Sequence, residues 1–214
     1  MYTAFTKRYH DVLASVYLFN EYQAYRGLER LLAALRLKYP EESVFIAAVE
    51  KHTRDERKHY LMFKRYFQAL QSTPLAVDST FGYIDQFVLF IFRTSLDDLD
   101  VAEILADDAL FFRLCRLIMI TEFRGMRQVD VLLRSRILRR DARLVRIFRI
   151  IERDEPSHCL PYQRWLRQRG SHAPGVQERL TDYWIHYSLV LVKLPLFFLH
   201  PRLKRLSHFP DEAA

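Results

Sequence analysis

Two copies of one six-residue pattern constrain this chain of 214 residues more than any other feature. Arg54-Asp55-Glu56-Arg57-Lys58-His59 and Arg153-Asp154-Glu155-Pro156-Ser157-His158 both read R-D-E-x-x-H and agree at four of six positions. On a helix, three residues turn a side chain through about 300°, so Glu and His project from one face about one turn apart. One E-x-x-H arises often by chance. Two, each about one helix length after a lone carboxylate, are far more specific. The lone carboxylates are Glu21, at the end of Ser15-Val-Tyr-Leu-Phe-Asn, and Glu122, after Leu117-Ile-Met-Ile-Thr.

Half of the residues are hydrophobic, only five are Gly, and no β-branched alternation lies between turn signals, so the chain reads as all-α and as a single domain, 1–214. Apolar spacings of three and four predict bundle helices over about 10–38, 41–71, 110–135 and 141–169. Pro40 stops the first, Glu41 and Glu42 suit the start of the second, and Gly170 ends the fourth. The connection 72–109 holds two short apolar pieces, Phe81–Phe92 and Leu96–Leu105, and is long enough to cross a bundle. A further helix is expected over about 176–199.

Register ties the motifs together. The point midway between Glu21 and the Glu56/His59 pair falls near residue 39; the point midway between Glu122 and Glu155/His158 falls near 139. Both are predicted turns, and residues equidistant from the turn of an antiparallel hairpin lie at one height. The two sets are offset by 101, 99 and 99 residues, which reads as a pseudo-twofold repeat. Docking the hairpins face to face brings four carboxylates and two imidazoles together. Burying a lone carboxylate such as Glu122 costs several kcal/mol unless a cation lies beside it, either an arginine or a metal. Carboxylate oxygens with one imidazole per ion suit two iron ions, cycling between Fe2+ and Fe3+, or an Mn/Fe pair. The candidate metal ligands are therefore Glu21, Glu56, His59, Glu122, Glu155 and His158.

Across about Val12 to Trp165 these residues resemble the ferritin-like di-iron carboxylate superfamily, a four-helix bundle with Glu on two helices and Glu-x-x-His on the others. The D-E-x-x-H form is most similar to the small subunit of ribonucleotide reductase, bacterial multicomponent monooxygenases and the p-aminobenzoate N-oxygenases. The resemblance implies that Asp154 accepts from the ring of His59 and Asp55 from that of His158, because a metal-bound imidazole needs its other N–H held. It also implies O2 and an electron donor as reactants. His52 shares a face with Glu56 and His59 and is a possible extra ligand, although the N-oxygenases place such a histidine in the later motif, where Ile151 stands here. Pro156 should kink or bulge the fourth helix.

The leading expectation is an O2-activating oxidase or oxygenase for a hydrophobic or aromatic organic substrate, with Phe87–Phe92 and Leu189–Leu199 lining a pocket. The alternatives are a ferritin- or bacterioferritin-like ferroxidase, and a metal-free helical protein of membrane surfaces or interactions. Ferritin subunits are usually acidic, whereas this chain carries a net charge of +7, and no nucleic-acid motif accompanies its arginines. Two cysteines, Cys115 and Cys159, make no disulfide framework, and the N-terminus lacks the apolar core of a signal peptide; the expected compartment is the cytoplasm. The apolar segment Trp184–Leu199 is too short and interrupted to span a membrane, yet needs a cover: the bundle itself, a second copy in a homodimer, or a lipid surface contacted peripherally.

Overall fold

The computed structural model describes residues 3–212. Its first helix, α1 (Ala4–Lys38), starts six residues before the expected His10, because the Thr3 side chain accepts the Thr6 N–H at 3.2 Å and caps the first turn. A turn at Pro40 returns the chain into α2 (Ser43–Ala69), which packs along α1. The connection then holds two helices: α3 (Tyr83–Phe92) and the six-residue α4 (Val101–Ala106). Gly82 opens α3 because a Cβ there would lie 1.9 Å from Asp85 Oδ2.

Asp107 caps α5 (Asp108–Arg134), accepting from the Ala109 N–H at 2.7 Å. Asp141 caps α6 (Ala142–Asp154) in the same way. The expected fourth helix is not continuous. Pro156 has no N–H to give, so α6 ends at Asp154 and α7 (Pro156–Gln168) begins two residues later. Glu155 between them keeps right-handed helical dihedrals, φ −47° and ψ −43°, so the chain resumes in helical sense. Gly170, at φ +65°, terminates α7.

The C-terminal helix is also interrupted. It runs as α8 (Val176–Ser188), a π-helical segment Leu189–Lys193, and α9 (Leu194–Leu199). Arg116 of α5 donates to both oxygens of buried Glu178, at 2.8 to 3.1 Å, and Arg124 binds Asp182, so two ion pairs hold α8 to α5. Among the described residues the fold is all-helical, with one isolated antiparallel bridge between Leu75 and Arg205, and no helix is long and apolar enough to cross a membrane.

The core divides into two clusters. One gathers Leu28, Val49, Ile118 and Tyr162; the other Leu18, Phe63, Val129 and Ile151. Each of the four sequence segments carrying a motif passes from one cluster to the other, and its polar motif residues fall between them. Packing therefore holds Glu21, Glu56, Glu122 and Glu155 at one level. Helix α1 packs on α2, α5 on α6 and α7, and α2 on α6 and α7, but α1 and α5 stay apart. Helix α4 packs on both at one end of that gap, and α8 and α9 border the other.

Candidate metal centre

Two groups of side chains could each hold a metal ion: His52, Glu56, Glu122 and His158 in one, and Glu21, Glu56 and His59 in the other. Glu56 belongs to both. In the first, His52 Nε2 lies 3.5 Å from both Glu56 Oε1 and Glu122 Oε1. His158 Nδ1 is 3.2 Å from Glu56 and 3.7 Å from Glu122. In the second, His59 Nδ1 is 3.3 Å from Glu21 Oε2 and 3.8 Å from Glu56 Oε1. Donors bound at about 2.0–2.2 Å to one ion stand about 3.0–3.4 Å apart, so small shifts would close either group on a cation.

The imidazoles carry the clearest sign of a cation site. His52 Nε2, His59 Nδ1 and His158 Nδ1 are buried without a hydrogen-bond partner. Each ring has its opposite nitrogen held: His59 Nε2 by Asp154 at 3.2 Å, His158 Nε2 by Asp55 at 3.3 Å, and His52 Nδ1 by the Tyr162 hydroxyl at 3.4 Å. A buried polar atom without a partner is costly, and three turned toward the same carboxylates fit lone pairs directed at metal. The atoms in front of these nitrogens are carboxylate oxygens of the same cluster, at 3.2–3.8 Å.

The carboxylates are charged unevenly. Burial, then the neighbouring Glu56, pushes Glu21 well above the usual carboxylate range; burial and Glu122 do the same to Glu155. Burial would raise Glu56 as well, but the imidazoles of His158 and His52 hold it well below that range. Without metal, protons keep so many acids together in one buried site. A divalent ion would displace them, the usual coupling of metal uptake to proton release.

The structure brings five of the six expected ligands, and His52, into these two groups. Glu155 stands beside them. Its carboxyl contacts that of Glu122, and its Oε2 is buried without a partner. His52 is only 1% exposed, so it is not a surface histidine. Lys58 escaped the sequence reading. It donates to Asp55 at 2.7 Å and to Asp154 at 2.6 Å, tying together the two aspartates that hold the imidazoles. Its place three residues after Asp55, next to His59, was the available signal. Lys51 also donates to Asp55, at 2.5 Å.

Asp55→Asn and Asp154→Asn should each leave the helices intact and weaken metal binding by about tenfold to a hundredfold, because an amide oxygen holds an imidazole N–H less firmly. Competition titration against a chelator measures this. Unchanged affinity in both variants would mean that the aspartates serve only Lys58 and Lys51.

An apolar cavity of about 830 Å³ reaches the centre between α1 and α5, with Glu21, Glu56, Glu122 and Glu155 in its wall. The expected Phe87–Phe92 do not line it; Phe87 and Ile91 instead pack into a third cluster with Leu117 and Ile185. Of the C-terminal segment, Leu189, Val190, Leu194, Phe198 and Leu199 do contribute to its wall. Compared with known protein families, with curated proteins and with solved structures, the chain matches none.

Proposed function

We propose that the chain is a ferritin-like, carboxylate-bridged di-metal protein that holds two iron ions, or one iron and one manganese, and acts as an O2-dependent oxidase or oxygenase on a hydrophobic organic substrate. The observation that carries this reading is the trio of buried, unpartnered imidazole nitrogens around Glu56. Glu21, Glu56 and His59 would hold one ion; His52, Glu56, Glu122 and His158 the other. When bound, such a pair supplies O2 activation with electrons from an external donor. The chain's own part is to fix the ligands through Asp55, Asp154 and Tyr162, to bring an apolar molecule beside the carboxylates, and to exclude water with α8, α9 and the two core clusters.

The cavity favours oxygenase over iron storage, because a ferroxidase needs a path for ions and not an apolar chamber against its ligands. Ferrous-loaded protein in a small oligomer, consuming O2 faster when a substrate fills the cavity, is the expected result. A 24-subunit shell that accumulates ferric mineral would overturn it in favour of storage. Truncation before Thr181 should keep the metals but abolish substrate-dependent turnover; full turnover in the truncated chain would remove the C-terminal segment from the site. That segment also leaves Trp184, Leu191, Leu196 and Leu199 more than 60% exposed. These residues favour an added contact with a lipid surface or a second copy, which vesicle flotation and sizing would separate.

A further inference from the structure

The two ends of the cavity between α1 and α5 differ in chemistry, and that difference narrows the substrate class of the proposed oxygenase, the reading on which this inference rests. One end is aliphatic: Leu31, Leu96, Leu99, Ile104 and Leu114 line it, and α4 packs across it. The nearby Arg30 is engaged by the Leu96 carbonyl and Asp97. The other end, beneath α8 and α9, is polar at its rim. Arg127, Gln128 and His186 line it, with Gln128 Nε2 3.3 Å from His186 Nδ1. Arg124 there is paired with Asp182, whereas Arg127 is exposed and makes no hydrogen bond or ion pair with any described residue.

Between the ends lie the four metal-site carboxylates, and Arg127 is the one arginine among the described lining residues left without a hydrogen-bond or ion-pair partner to meet an anionic head. Along α5, Arg127 stands five residues from Glu122, about 7.5 Å, and Leu114 a further eight residues beyond, about 12 Å. The lining thus runs about 20 Å along α5, with one unpaired arginine at its end. Gly125 lies in this wall beside Glu155. We propose that the cavity binds one long-chain carboxylate, its head at Arg127 and its methylenes running past the metal-site carboxylates into the aliphatic end. A methylene of the chain, not the head, then faces the centre.

Displacement of a fluorescent polyene fatty acid from the full chain, as purified and after chelation, tests this directly. Palmitate should bind both forms at one per chain, and octanoate more weakly by about fourfold for each methylene it fails to bury. Arg127→Glu, a surface change, should weaken palmitate by about tenfold while leaving hexadecanol unaffected. Gly27→Phe adds a ring to the aliphatic half, where a Cβ would already meet Leu96 Cδ1 at 3.5 Å. It should cost palmitate binding by at least about tenfold with metal content unchanged. Equal binding of octanoate and palmitate, several chains per protein, or palmitate binding indifferent to Arg127→Glu would overturn the assignment. Chelated protein that binds palmitate as described while the native protein holds no metal would instead sink the oxygenase reading and leave the cavity's ligand standing.

Discussion

Glu56→Ala is expected to cost the protein most of its metal, from about two ions per chain to one or fewer in protein from iron-replete cells, as read by elemental analysis. Glu56 is the only residue shared by the two candidate groups, so its loss leaves Glu21 and His59 on one side and His52, Glu122 and His158 on the other. Two donors do not hold a divalent ion against water and cellular chelators, and the second group is reduced to three, His52, Glu122 and His158. The cavity left behind is small and polar, so the helices should stay folded. Glu152→Ala is the matched control. Glu152 lies in the same stretch of α6, paired on the surface with Arg149 at 2.8 Å, and its removal should leave metal content unchanged. Full stoichiometry in Glu56→Ala would mean that the ions bind elsewhere.

The second large effect is on stability. Phe63 is completely buried one turn beyond His59, with its ring 5.7 Å from Phe148 and 5.9 Å from Tyr17. Phe63→Ala removes a ring from close-packed surroundings that α1, α2 and α6 cannot collapse to fill. The expected cost is about 3–5 kcal/mol, which lowers the melting temperature by roughly 6–20 °C in a chain of this size. The comparison belongs in metal-free protein, because ions that bind only the folded state add their own stabilisation. A shift of less than about 2 °C would show that this part of the core is loosely packed.

Much of the site was legible because its residues obey two periodicities at once. Glu56 and His59 share a helix face, and equal distances from the turns at Pro40 and near Arg139 set them level with Glu21 and Glu122. The same two rules put His52 on the face of Glu56, but they do not reveal whether a residue one turn away reaches the centre. That depended on Tyr162, four residues after His158, arriving opposite His52 to hold its far nitrogen. Glu155 shows the converse. Its spacing matches Glu56 and it keeps helical dihedrals, yet it falls outside both groups, which motif spacing does not encode. The crossover was legible only as apolar pieces. Whether Phe87 faced the cavity or the core depended on where α8 docked, and buried Glu178 and Asp182, meeting Arg116 and Arg124 from 62 and 58 residues away, decide that. Long-range ion pairs of this kind leave no local trace.

Anomalous diffraction at the iron edge, from crystals grown of protein purified from iron-replete cells, tests the central claim most directly. Two peaks per chain are expected, on either side of Glu56. One lies among Glu21, Glu56 and His59, the other among His52, Glu56, Glu122 and His158. No peak at this level, or a single one away from Glu56, would contradict it.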